Sequence, residues 1–247
     1  MARKFDVLEH RSPNHGPRRG DGPIDILLLH YTGMPSAEGA LKWLCDPRSE
    51  VSSHYFVFED GRIFRLIDEA RRAHHAGVSA WAGETDINSR SIGIEIANPG
   101  HEYGYRPFPD VQIGAVIALC ADILGRHPMP PERVLAHSDV APLRKQDPGE
   151  LFPWQSLYDE GIGHFVPPEP LQNGPSLSLG ACGPDVTRLR NRFRQYGYGL
   201  GDADEFDAET AAVVAAFQRH FRPELVDGIV DRSTELTLDR LRGALSR

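Results

Sequence analysis

Two histidines and one aspartate have the types and placement to hold a divalent cation. His30 closes the apolar run 26–29, and His137 follows directly on Val134-Leu135-Ala136, so both stand at the end of a short apolar segment. Asp147 lies in Arg144-Lys145-Gln146-Asp147-Pro148-Gly149, where proline and glycine fix the path of the chain. A catalytic zinc commonly takes three N, O or S ligands and keeps a fourth position open, and two imidazoles with one carboxylate meet that requirement. Spacing alone leaves a plainer alternative. The chain has 11 histidines and no HExxH-type signature, so two of them at strand ends can be coincidence.

Glu95 is the other residue that could do chemistry. It sits inside SIGIEIA, residues 91–97, where an unpaired buried carboxylate is costly. Strand alternation puts Ile92, Ile94 and Ile96 on one face and Gly93, Glu95 and Ala97 on the other. Small residues beside an acid suit a substrate groove; an ordinary solvent-facing strand is the competing reading.

These residues need a scaffold, and the sequence outlines one. Residues 24–30 read as a strand buried on both faces. Residues 36–44 have helical spacing, with Ala37, Ala40, Leu41 and Leu44 on one side. Residues 54–58 and 63–67 flank Glu59-Asp60-Gly61-Arg62, a hairpin signal because the turn needs positive φ. Residues 111–127 form a long apolar helix that stops before Pro128, and 134–136 a short strand leading into His137. Strands alternating with helices over 22–160 predict an α/β domain: a mixed central β-sheet flanked by helices.

After that the texture changes. Pro167, Pro168, Pro170 and Pro175, with Gly174 and Ser176, read as a semi-extended linker. Residues 185–196, 208–221 and 233–245 then predict three amphipathic helices, a small C-terminal domain set apart by that linker. The expected division is 1–166, a catalytic domain; 167–180, the linker; and 181–247, the second domain.

Composition limits the classes. A net charge of −8 with no long Lys/Arg run argues against a nucleic-acid partner, and Arg11, Arg18 and Arg19 read as a solvated flank. No apolar stretch approaches the ~20 residues needed to span a bilayer. Residues 1–21 lack the hydrophobic core of a signal peptide. Cys45, Cys120 and Cys182 form no CxxC pair, which speaks against a zinc ribbon; Cys120 reads as a small core residue.

Three segments in order carry a resemblance: Leu29-His30-Tyr31-Thr32; SIGIE at 91–95; and His137-Ser138-Asp139-Val140-Ala141-Pro142 through Lys145 and Asp147-Pro148-Gly149. They resemble the type 2 family of N-acetylmuramoyl-L-alanine amidases (AmpD- and AmiD-like enzymes), to which peptidoglycan recognition proteins are related. The resemblance covers about 22–160. It implies that His30, His137 and Asp147 bind Zn2+, that Glu95 is the catalytic acid/base, and that Lys145 supports the transition state. It further implies substrate contacts for His75, in His74-His75-Ala76-Gly77, and for His54 and Asn88. Some relatives carry Cys as the third ligand, or Ser with loss of catalysis; Asp147 keeps the set intact here. Phage-type relatives have Tyr before the histidine matching His54, but this chain has Ser53, so no tyrosine role carries over.

A second resemblance covers the tail. Asp185-Val186-Thr187-Arg188-Leu189, Tyr196-Gly197-Tyr198, Phe206-Asp207-Ala208-Glu209-Thr210, Ala216-Phe217-Gln218 and Asp227-Gly228-Ile229-Val230-Asp231 with Thr234 resemble a three-helix peptidoglycan-binding domain. Asp207 and Asp231 read as helix N-caps, and Leu189, Phe217 and Leu236 as core; a plain helical bundle without a ligand is the alternative.

The expected function is therefore zinc-dependent cleavage of the amide between N-acetylmuramic acid and L-alanine in peptidoglycan or its fragments. A non-catalytic peptidoglycan-binding protein is the alternative; a zinc hydrolase of unrelated amides is the third reading. The binding domain favours wall contact in the periplasm, while the absent leader fits a cytoplasmic recycling enzyme. Oligomeric state is not indicated by the sequence.

Overall fold

The computed structural model describes residues 6–245. Residues 1–5, 246 and 247, part of the two expected end domains, lie outside the described residues. In chain order the strands are β1 (Val7–Glu9), β2 (His15–Pro17), β3 (Ile26–Tyr31), β4 (Tyr55–Val57), β5 (Ile63–Arg65), β6 (Arg71–Ala73), β7 (Ser91–Ile96) and β8 (Val134–Ala136). The helices are α1 (Ala37–Leu44), α2 (Ile87–Arg90), α3 (Asp110–Arg126), α4 (His137–Val140), α5 (Trp154–Asp159), α6 (Pro184–Tyr196), α7 (Ala208–Phe221) and α8 (Arg232–Leu245).

Six strands form a mixed sheet in the order β1-β5-β4-β7-β3-β8, and β4 with β5 is its antiparallel hairpin. β7, β3 and β8 run parallel. Their register decides where chemistry can occur. His30 is paired with Glu95, and Leu29 with Ala136, which precedes His137. The apolar runs therefore end level with one another and deliver three polar side chains to one end of the sheet.

The two faces of the sheet are closed differently. Ile92, Ile94 and Ile96 pack beneath α3, whose Val116, Leu119, Cys120 and Ile123 follow i, i+3, i+4, i+7 spacing and are fully buried. The opposite face carries Phe56 and Ala97 against Ala40 and Leu44 of α1. Ser36 starts α1 by accepting a hydrogen bond from the Gly39 N–H at 3.1 Å. Among the described residues no helix is long and apolar enough to cross a membrane. The three cysteines are free, with Cys120 buried.

The tail contains the three expected helices. Asp207 accepts from the Thr210 N–H, and Asp231 from the Thr234 N–H, as N-caps do. Leu236 is only half-buried; the buried face of α8 runs through Thr234, Thr237, Leu238 and Leu241. Residues 167–180 lack regular structure, but they are strapped down rather than free. Glu169 N donates to Thr237 Oγ1 at 3.0 Å, Ser233 Oγ donates to Glu169 O at 2.6 Å, and Leu177 and Val230 exchange backbone hydrogen bonds. The helices share one continuous apolar core with the sheet domain: Trp81 stands edge-on to Tyr198 with centroids 5.0 Å apart, and Ala82 N donates to Gly197 O at 2.7 Å.

Two N-terminal features differ from expectation. β1 pairs in parallel with β5 although its three residues are exposed, so no alternation marked it. Arg18 is not a solvated flank. Its guanidinium donates to the carbonyls of Glu69, Asn88, Ser89 and Ser91, closing the underside of β7.

Candidate metal centre and catalytic cleft

His30, His137 and Asp147 meet at the end of the sheet, all nearly excluded from solvent. His30 Nδ1 lies 2.9 Å from His137 Nδ1 and 3.1 Å from Asp147 Oδ2, and His137 Nδ1 lies 3.0 Å from the same oxygen. The surroundings decide which nitrogens carry protons. His137 Nε2 faces the Ala76 carbonyl at 3.0 Å, so it donates and leaves Nδ1 with its lone pair. The Ser91 hydroxyl donates to Ile87 O at 2.6 Å, so its oxygen accepts from His75 Nε2 at 3.3 Å. His75 Nδ1 is then an acceptor for His30 Nε2 at 3.0 Å, which leaves His30 Nδ1 unprotonated too. Two imidazole lone pairs and a carboxylate oxygen thus face one another in a buried space. That arrangement is repulsive unless a cation lies between them, so the donor set fits a metal site.

The electrostatics agree with this. Burial, with His137 next, lowers the His30 pKa to about 4, so the ring is neutral at pH 7. A neutral imidazole is the form that ligates a metal.

The loop that supplies Asp147 is held from both sides. Ser138 N donates to the Asp147 carbonyl at 3.0 Å. Tyr105 donates its hydroxyl to Pro148 O at 2.7 Å and accepts from Leu151 N at 2.9 Å. Gly149 follows with φ of +85°, and a Cβ there would fall on the Tyr105 phenol. Tyr105 carries no sequence signal of this role, because the contact spans 43 residues.

The three ligand candidates open into a cleft of about 470 Å³ whose walls include His75, Glu95 and Lys145. Glu95 points into it from the small-residue face of β7, and its Oε2 is buried with no hydrogen-bond partner. Burial raises its pKa to about 8; the Asp147 charge adds to the effect and Lys145 opposes it. A carboxyl poised near neutrality with an unused oxygen has the properties of a general acid/base.

His75 stands at the base of the cleft against His30. Gly93 makes room for it, since a Cβ at that position would lie 2.6 Å from the imidazole. His54 and Asn88 do not reach the cleft. His54 is fully buried, with Nδ1 accepting from Gly93 N at 3.0 Å and Nε2 facing Arg71 O at 3.1 Å. Asn88 accepts from the N–H groups of His75 and Ala76 at 3.0 and 2.9 Å, so it holds the backbone that carries His75. Both residues lie behind the wall that the expected contacts would line.

Comparison with known proteins shows the family. Residues 20–150 match the N-acetylmuramoyl-L-alanine amidase family, and residues 182–238 match a peptidoglycan binding domain. The chain is 38% identical to the N-acetylmuramoyl-L-alanine amidase AmiD of Escherichia coli K12, over 88% of this chain and 82% of that one. It is 29% identical to the 1,6-anhydro-N-acetylmuramyl-L-alanine amidase AmpD of Enterobacter cloacae, over 62% of this chain and 89% of the relative. Among solved structures, E. coli AmiD in complex with anhydro-N-acetylmuramic acid-L-Ala-D-gamma-Glu-L-Lys superposes with a TM-score of 0.76 at 35% identity, covering 95% of this chain and 93% of that one. AmpDh3 of Pseudomonas aeruginosa with an anhydromuramic pentapeptide gives 0.74 at 32% identity, covering 95% of each chain. With that match over residues 20–150, and with AmiD aligned along most of its length, the chain belongs to the type 2 N-acetylmuramoyl-L-alanine amidase family.

Proposed function

We propose that the protein hydrolyses the amide joining the lactyl group of N-acetylmuramic acid to L-alanine, with zinc held by His30, His137 and Asp147. The observation that carries this reading is Glu95, whose Oε2 is buried and unpartnered on the wall of the cleft that holds the His-His-Asp set. Zinc bound there supplies polarisation of the scissile carbonyl and a water acidic enough to attack near neutral pH.

The chain's own groups supply the rest. Glu95 accepts the proton of the attacking water at its carboxylate and returns it to the departing alanine nitrogen. Lys145, on the same cleft wall, stabilises negative charge as it develops on the carbonyl oxygen. Ala76 O and His75 hold the two imidazoles in the tautomer that presents Nδ1. The C-terminal helices hold the wall and raise the local concentration of substrate. We place the work of the enzyme at polymeric wall, since a binding domain has little use on a small soluble substrate.

The test is mass spectrometry of peptidoglycan incubated with the protein, with and without a zinc chelator. Chelator-sensitive release of stem peptides beginning with L-alanine is the expected result. Cleavage of small muropeptides alone would move the enzyme to a recycling role. Failure on both would leave a wall-binding protein.

A further inference from the structure

We propose that Tyr198 and His220, in the C-terminal helical domain, are positioning residues for His137, acting through Asp139. The proposal rests on His137 being a metal ligand and extends that reading to a part of the chain otherwise assigned to wall binding.

α4, His137–Val140, is a single turn. A helix this short has no stability of its own, so its place is set by what it touches. Asp139 is the side chain that ties it down. Its carboxylate is fully buried, and such a group must be partnered. Within the sheet domain it accepts from one donor, the Ala136 N–H at 2.8 Å, reaching back over the start of α4 as a capping residue does. Its other donors come from the C-terminal domain: Tyr198 OH, just past α6, to Oδ1 at 2.8 Å, and His220 Nδ1, on α7, to Oδ2 at 2.7 Å.

Those donors are themselves fixed. The His220 ring stacks on Trp154 with centroids 3.7 Å apart and on Phe221 at 3.8 Å. Tyr198 packs edge-on against Trp81 and Phe193. On its other side α4 touches the metal centre directly. His137 is its first residue, and Ser138 N binds the carbonyl of Asp147. Tyr198 and His220 therefore press on a one-turn element that carries one ligand candidate and holds the backbone of another. Without them the Asp139 carboxylate would keep one of its three donors, and α4 would relax within a site where positions matter to fractions of an ångström.

The test uses the full-length chain with Tyr198→Phe and His220→Phe, which remove the donors and keep the rings, and His220→Asn, which returns an N–H near the place of Nδ1. Val213→Ala is the control: it weakens the buried core of the C-terminal helices without touching Asp139. Zinc affinity is read by competition with a chromophoric chelator, kcat and KM on a small soluble muramoyl-peptide, and wall binding by co-sedimentation. Tyr198→Phe and His220→Phe are expected to weaken zinc about 10-fold and to lower kcat with KM and co-sedimentation unchanged. His220→Asn should recover part of both losses, and Val213→Ala should lower the melting temperature alone. Zinc held as tightly by both Phe variants as by the parent overturns the proposal, as does an equal zinc loss in Val213→Ala. If His220→Phe does not fold, Tyr198→Phe, which deletes one oxygen, decides the matter. A parent protein that binds no zinc would instead sink the reading of the metal centre itself.

Discussion

His75 Nδ1 sits 3.0 Å from His30 Nε2, on the side of the imidazole away from the cluster of metal-type donors. The Ser91 hydroxyl fixes the direction of this hydrogen bond from two residues away along the relay. His75 thereby sets which His30 nitrogen is free, whether or not it also touches substrate. His75→Ala is expected to weaken zinc binding about 10- to 100-fold. Chelator competition measures it. A residue that only contacts substrate would raise KM and leave zinc affinity alone.

Glu95→Gln should keep zinc bound and lower kcat on a soluble muramoyl-peptide by about 10²- to 10⁴-fold, the range for losing a general acid/base. Full activity in that variant would remove Glu95 from the mechanism.

The same carboxyl makes a prediction for the metal-free protein. Its folded pKa, about 8, lies above the ordinary 4.5, so the native state binds the proton more tightly than the unfolded chain. Stability then falls as pH rises between those values, because the folded state holds more protons there. Metal-free Glu95→Gln should melt a few degrees higher than the parent near pH 8, and the gap should close toward pH 4–5. A gap of constant size across that range would mean the shift is absent.

The residues carrying chemistry were legible because each ends or interrupts a pattern. His30 and His137 terminate apolar runs, and Glu95 interrupts an apolar strand opposite its isoleucine face; periodicity made them candidates, and the family resemblance joined them into one site. The partners that orient them left no such mark. Ser91 and Asn88 orient His75 through side-chain hydrogen bonds that span more than ten positions. Arg18 looked solvated because Arg11 and Arg19, near it in sequence, are polar company; its burial depends on four carbonyls at 69–91. The Pro-rich segment was read as a separator for the same local reason. Its proline content predicts extended backbone, and only the tertiary structure shows that backbone fastened to α8.

Asn88 was expected at the substrate, and its position predicts something else. Asn88→Ala strands two backbone N–H groups, His75 and Ala76, at a cost of about 1–3 kcal/mol for each buried donor. Asn88→Asp keeps the accepting oxygen and should lose much less. Thermal melts compare the two. KM on the soluble substrate should stay within about twofold of the parent in Asn88→Asp, whereas a substrate contact would raise it.

Tyr105 and Gly149 hold the Asp147 loop through one contact that can be attacked from either side. Tyr105→Phe removes the hydroxyl that donates to Pro148 O and accepts from Leu151 N, costing about 1–2 kcal/mol and loosening the backbone beside a metal-ligand candidate. Gly149→Ala pays twice: φ of +85° is strained for any L-residue, and the new methyl would collide with the Tyr105 ring. Only the collision depends on Tyr105. In a Tyr105→Leu background the Gly149→Ala cost should therefore shrink to the backbone part, giving an interaction energy of about 1 kcal/mol or more in a double-mutant cycle. Melting measurements on the four proteins decide it. Strict additivity would mean that the loop yields freely at Gly149, and that Tyr105 is not what fixes Asp147.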